Sequence, residues 1–187
     1  MKRAIRVVAG MAIAGVLIGV VWVALAPPVH GAVALTKSGE RLHAYLGDEA
    51  DHFFVSAVIM AGMLAGAGVV AAVAVWQRRA HRGPWQVIVL ILGGLAAAGA
   101  ASGVGVAVAR AYYGGVDVAG APVTPQHRVH YVTEAPTVFF GHSPLQVLTT
   151  LLMPAATAAL TYAALAAGSA RDDLGVAAAS ILETAGQ

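Results

Sequence analysis

The sequence predicts an α-helical integral membrane protein, a four-helix transmembrane bundle with a small extracytoplasmic cap built on a β-hairpin in an α+β arrangement. Three observations carry that expectation. Apolar residues make up 59% of the chain and charged residues 11%, against about 45–50% and roughly 25% in a soluble globular domain. Four segments, 7–26, 53–76, 85–109 and 145–167, contain no Asp, Glu, Lys or Arg, and each is long enough to cross a bilayer core of about 30 Å as a helix of roughly 20 residues. The polar residues gather in two loops, 27–52 and 110–144, with a short link at 77–84 and a tail at 168–187. The whole chain, 1–187, reads as a single membrane domain.

The first span follows a basic start, Met1-Lys2-Arg3, and ends near Ala24-Leu25-Ala26, which resembles a signal-peptidase site. Its apolar stretch exceeds the usual signal core of about 7–15 residues, and Pro27 would be the first mature residue. A retained anchor is expected. Pro27-Pro28 stops this helix, since neither residue can donate a backbone hydrogen bond. The second span runs from Phe53 to Trp76, and Gly83-Pro84 turns the chain into the third, with Pro84 at a first helical position that loses no bond. Ser143-Pro144-Leu145-Gln146 has the pattern of a capping box with proline at N1 and opens the fourth. Pro154 lies inside that span and should kink it, with Thr149, Thr150 and Thr157 near enough to satisfy freed backbone groups.

Orientation follows from lysine and arginine in the short segments. Lys2, Arg3 and Arg6 precede the first span, and Arg78, Arg79 and Arg82 crowd the link between spans two and three. The positive-inside rule therefore places both termini in the cytoplasm and the two long loops outside. Trp22, Trp76, Trp85, Tyr112 and Tyr113 fall near the expected interfaces, where amphipathic rings are favoured. Glycines recur four apart at Gly15/Gly19, Gly62/Gly66 and Gly99/Gly103. Such spacing lets helices approach closely, either within one chain or along a homo-oligomer seam.

In the first long loop, two extended runs, 32–36 and 41–45, flank a turn with Gly39 and predict a hairpin. In the second, 128–133 (RVHYVT) and 137–140 have strand character. A lone hairpin is only marginally stable, so the two loops are expected to dock on each other.

Several chemistries are excluded at once. Without cysteine there is no disulfide, thiolate nucleophile or iron–sulfur cluster. No span carries a charged group or a deep histidine, which argues against proton-coupled transport and a haem held between helices. There is no Walker lysine, HExxH or GxSxG, and no basic stripe for nucleic acid. What stands out is histidine: His30, His43, His52, His127, His130 and His142 lie in the outer loops and only His81 in the link. Imidazole is the usual neutral metal ligand and the side chain that titrates near neutrality. His43, Asp48, Asp51, His52, His127 and His130 are thus the candidate ligands of a divalent ion, zinc or copper. His127 and His130 are three apart, so on a strand they point to opposite faces. The competing reading makes Asp48 the N-cap of the second span, with Glu49 and Asp51 in its first turn complementing the helix dipole.

The segments 26–31 (APPVHG), 43–47 (HAYLG), 51–54 (DHFF), 79–84 (RAHRGP) and 139–141 (FFG) together resemble a family of actinobacterial, mainly mycobacterial, four-span membrane proteins known as domain of unknown function 2567. The resemblance covers most of the chain and implies a plasma-membrane location. It supplies no catalytic residues. The function expected by elimination is a non-enzymatic accessory or assembly component of the cell envelope, with the lipid bilayer and a homo-oligomer or another envelope membrane protein as partners, and no nucleic acid. The alternative is a metal- or pH-responsive site at the membrane surface, and a third is an enzyme acting on a lipid or envelope precursor.

Overall fold

The computed structural model describes residues 2–79 and 82–169. Four long helices carry the chain: α1 (Lys2–Leu25), α2 (Asp51–Trp76), α3 (Pro84–Tyr113) and α4 (Pro144–Ala167). Each is long and apolar enough to cross a membrane. Three strands, β1 (Val29–Leu35), β2 (Arg41–Tyr45) and β3 (Val129–Glu134), form one antiparallel sheet in the order β2-β1-β3. The two long loops thus merge into a cap at one end of the bundle. His81 and nearly all of the 168–187 tail lie outside the described residues.

Side-chain size explains how the helices pack. α3 buries the largest share of its apolar window and touches each of the other three helices. A Cβ at Gly15 would run into the backbone of Ala97, and one at Gly19 would sit 2.6 Å from the Ala101 carbonyl oxygen. This glycine pair is what lets α1 lie against α3. The other two pairs at the same spacing behave differently: around Gly62, Gly66, Gly99 and Gly103 an added Cβ meets nothing within 4 Å. α4 uses Pro154 the same way, its carbonyl packed against Gly68 of α2, while Ala155 approaches Gly94 of α3.

The core divides into two clusters. The one nearer the cap joins Trp22, Met60, Leu64, Ala98, Ala101 and, from the second long loop, Val138. The other joins Met11, Ala72, Leu90, Ala97, Ala158 and Tyr162. Trp22, expected at an interface, is fully buried. Its indole N–H donates to the Ser56 carbonyl at 2.8 Å, so the polar edge of the ring is satisfied inside the bundle.

Helix ends follow local chemistry. The capping box at Ser143 forms: Ser143 Oγ accepts from the Gln146 amide, and Gln146 Oε1 accepts from the Ser143 amide at 3.1 Å. In the Pro154 region, Thr157 donates to the carbonyls of Met153 (3.0 Å) and Ala65 (3.1 Å), but the Thr150 hydroxyl is buried with no partner among the described residues. Asp48 is not the cap of α2. The helix starts at Asp51 behind Ala50, which makes no side-chain cap bond, and Asp48 lies in the preceding turn. Nor does 137–140 form a strand. The Thr137 hydroxyl donates to the Phe139 carbonyl at 3.1 Å, a local turn bond that competes with extended pairing.

Candidate functional site

The cap sits where α1 ends, α2 begins and α3 ends, and its sheet has two dissimilar faces. Val29 and Val33 of β1, both fully buried, point toward the bundle with Gly31 between them. In register, His43 of β2 pairs with Val33 and Glu134 of β3 pairs with Val29. His43 and Glu134 therefore share the inner face, diagonally across the central strand. They meet over Gly31: His43 Nε2 lies 2.7 Å from Glu134 Oε1, and a Cβ on Gly31 would be 2.8 Å from that same nitrogen. The absent side chain is the space the imidazole occupies. Both contacting atoms are buried and make no other bond.

Tyr45 carries this arrangement into the bundle. Its ring stands edge-on to His43 at 5.1 Å and to Phe53 of α2 at 5.5 Å. Partial burial, and then the negative charge of Glu134, push its phenol above the ordinary value of 10.0.

A second contact ties the hairpin to the start of α2. The Glu49 carboxylate accepts the His30 amide at 3.0 Å and lies 3.1 Å from His30 Nδ1 and 2.9 Å from His52 Nδ1. The same His52 nitrogen faces the Pro28 carbonyl at 2.9 Å. A carbonyl oxygen only accepts, so Nδ1 carries the proton and donates. The Glu49 carboxyl is held below its ordinary value of 4.5, first by the His30 amide and then by the His30 ring, with the charges of His52 and His30 adding and desolvation opposing.

The six residues singled out as ligands are dispersed through this cap. His43 is engaged with Glu134 and His52 with Glu49 and Pro28. His130 flanks Val33 on β3, opposite His43 across β1, while His127 precedes β3 in a turn where its amide donates to Thr124 Oγ1 at 3.1 Å. Asp48 and Asp51 are exposed. Among the described residues no three His, Asp or Glu side chains are grouped so as to hold a metal ion.

Beneath the sheet, a groove of about 810 Å³ runs between Phe53 and Phe54 of α2, Arg110 of α3 and the segment 134–142. Phe54 and Phe140 approach at 5.7 Å between ring centroids. A smaller space of about 390 Å³, bordered by His43, Tyr45, Arg110 and Glu134, adjoins it.

The family model described as "Protein of unknown function (DUF2567)" matches residues 11–176. The chain belongs to this family. It is 48% identical over 167 residues to the uncharacterized protein Rv1591 of Mycobacterium tuberculosis, covering 89% of this chain and 86% of that one. To the uncharacterized protein ML1222 of Mycobacterium leprae it is 47% identical over 171 residues, covering 91% and 86%. No solved structure matches.

In this DUF2567 member the carboxylates that engage histidine are Glu49 and Glu134, neither of which stood among the candidate ligands. Glu134 falls one residue past the predicted strand, and its contact with His43 depends on β3 joining β1. Glu49 carried one usable signal: it follows Gly47-Asp48 just before a long apolar helix, where a carboxylate can turn back to a preceding strand. Chemically, the His43–Glu134 pair joins β2 to β3 within the sheet, and the Glu49 contacts tie β1 to the start of α2.

Proposed function

We propose that this chain is a non-enzymatic accessory component of the actinobacterial cell envelope, held in the plasma membrane by its four helices with both termini cytoplasmic. Its cap engages an extended segment of another envelope membrane protein. The observation that supports this most directly is the sheet face turned away from the bundle. Leu42 (55% exposed), Val129 (50%) and Tyr131 (70%) stand there around the small Ala32 and Ala34. In register, Leu42 and Val129 flank Ala34, and Ala44 and Tyr131 flank Ala32, which leaves a shallow apolar trough with no charged residue in either row. An exposed apolar patch of this kind outside the hydrocarbon is a mark of an interaction surface, and tyrosine is favoured at binding centres. β2 and β3 are the edge strands of the sheet, so an extended partner has backbone groups to pair with as well as the trough.

A photo-crosslinking residue in place of Tyr131, in mycobacterial membranes, should capture one recurring envelope protein, and Leu42→Asp with Val129→Asp should abolish that adduct. Crosslinks to lipid alone would overturn the proposal. A second reading, a pH-responsive cap, is favoured by the three imidazole–carboxylate contacts at 2.7–3.1 Å. It requires the partner adduct to change between pH 5 and pH 7.5, and an adduct insensitive to pH removes it.

A further inference from the structure

At the opposite end of the bundle, α1 and α2 part company. Near the cap they are joined by the bond from Trp22 to the Ser56 carbonyl, but α1 follows α3 for its length and leaves α2 toward the link. The gap is not filled by large side chains. A cavity of about 580 Å³ at its mouth is lined by Lys2, Arg3, Arg6, Arg78, Trp85 and Gln86. It continues into a second of about 480 Å³ that shares Arg6, Val7, Val75 and Arg78 and is walled by Gly10, Ala14, Ala67, Ala71 and Ala74. The two form one crevice, cationic at the mouth and apolar along the shaft, and among the described residues no Asp or Glu lines either part.

We infer that this crevice binds an anionic phospholipid, headgroup at the mouth and one acyl chain in the shaft. The inference rests on the membrane-spanning reading of the helices and is independent of any partner at the cap. Topology accounts for the sign of the charges at this end, but not for the convergence of α1 and the link after α2 on one opening. Arginine presents a planar fork that matches phosphate oxygens, and Arg6 and Arg78 face the mouth from opposite walls. Trp85, 62% exposed, adds the amphipathic ring that favours the headgroup level, and Gln86 adds a neutral donor.

The depth fits as well. From Ala67 to the end of α2 at Trp76 the wall extends roughly 14 Å at 1.5 Å per residue, close to one leaflet of a hydrocarbon core about 30 Å thick. Below the two arginines the shaft is lined by glycine, alanine, valine and Met11, which are mostly small and offer no polar competitor. Basic pockets between membrane helices are a recognised setting for acidic lipid headgroups, and each nearby Lys or Arg strengthens such binding. A free phosphate would use only the mouth, so the apolar shaft argues for the lipid.

The test is native mass spectrometry of the detergent-purified full chain with dioleoyl phosphatidylglycerol or dioleoyl phosphatidylcholine, which share acyl chains and differ in charge. The expected result is retained phosphatidylglycerol adducts and few of phosphatidylcholine, with R6Q/R78Q weakening the former by roughly thirtyfold. Ala71→Phe, which plugs the shaft without touching a charge, should also reduce it. Arg110→Gln, at the cap end, should leave it unchanged and serves as the folding and charge control. Equal retention of the two lipids by the natural chain overturns the inference, as does full retention in both R6Q/R78Q and Ala71→Phe or an equal loss in Arg110→Gln. Retention of inorganic phosphate with no lipid preference overturns the lipid assignment alone, and none of these outcomes bears on whether the helices span a membrane.

Discussion

At the cap end, His30, His52 and His43 meet carboxylates at 2.7–3.1 Å, whereas at the link end Lys2, Arg6 and Arg78 border a crevice with no acid among the described residues that line it. All described carboxylates lie in the two long loops. The link end instead secures itself with rings and neutral bonds: Arg82 stacks on Trp76 at 4.1 Å, Trp76 meets Tyr162 edge-on at 5.2 Å, and the Tyr162 hydroxyl accepts the Gly83 amide at 3.0 Å. A structure that pairs its polar groups internally is shaped by those pairs. At the link end the described cations instead converge in like sign on one opening. The two ends therefore differ in how their described charges are arranged, paired with carboxylates in the cap and gathered around a crevice at the link end.

The largest expected break is Gly31→Val. A side chain there meets His43 Nε2 at 2.8 Å and the Ala44 carbonyl at 3.2 Å, and overpacking of this kind typically costs about 1–3 kcal/mol. Hydrogen exchange should show protection lost across β1, β2 and β3 while the helices at the link end keep theirs. Loss spread evenly through the molecule would mean that the ends are not separable. At the link end, Tyr162→Phe keeps the ring against Trp76 and leaves the Gly83 amide without its acceptor, for about 1–2 kcal/mol. Faster exchange confined to the Gly83 region is the expected sign, with the cap unaffected.

The smallest effect is acid titration of Glu49. Its carboxyl is held below the ordinary value of 4.5, so its contribution is fully present above that value and is lost as pH falls through the depressed one. Exchange at the His30 amide should accelerate, relative to its intrinsic rate, only below about the ordinary carboxylate value. Glu49→Gln should remove this acid-dependent step, and an unchanged step in that variant would assign it to another carboxylate.

How much of this was legible beforehand varied with the range of the interaction. Helices were legible because charge-free apolar segments declare themselves locally; the second span was expected at 53–76 and α2 runs Asp51–Trp76, and the fourth at 145–167 against Pro144–Ala167. The capping box was equally local. Three glycine pairs of identical spacing, by contrast, gave no way to tell Gly15/Gly19 from Gly62/Gly66 and Gly99/Gly103. Spacing states which residues share a helix face, but not which helix that face will meet. The His43–Glu134 contact was hidden for the same reason, since it exists only because β3 adds to β1 from beyond two intervening helices. Thr137 shows the opposite failure, a local side-chain bond overriding a strand propensity.

The placement of β1 also sets an order of events during synthesis. β1 is first in the chain and central in the sheet, with β2 on one side and β3 on the other. The β1–β2 hairpin is complete before α2 begins, yet β1 keeps one edge unpaired until α2, α3 and then residues 129–134 have been made. A two-stranded hairpin alone is marginal. A nascent chain halted within α3 thus exposes an unfinished cap, and a finished one reports that three of the four helices have already been produced.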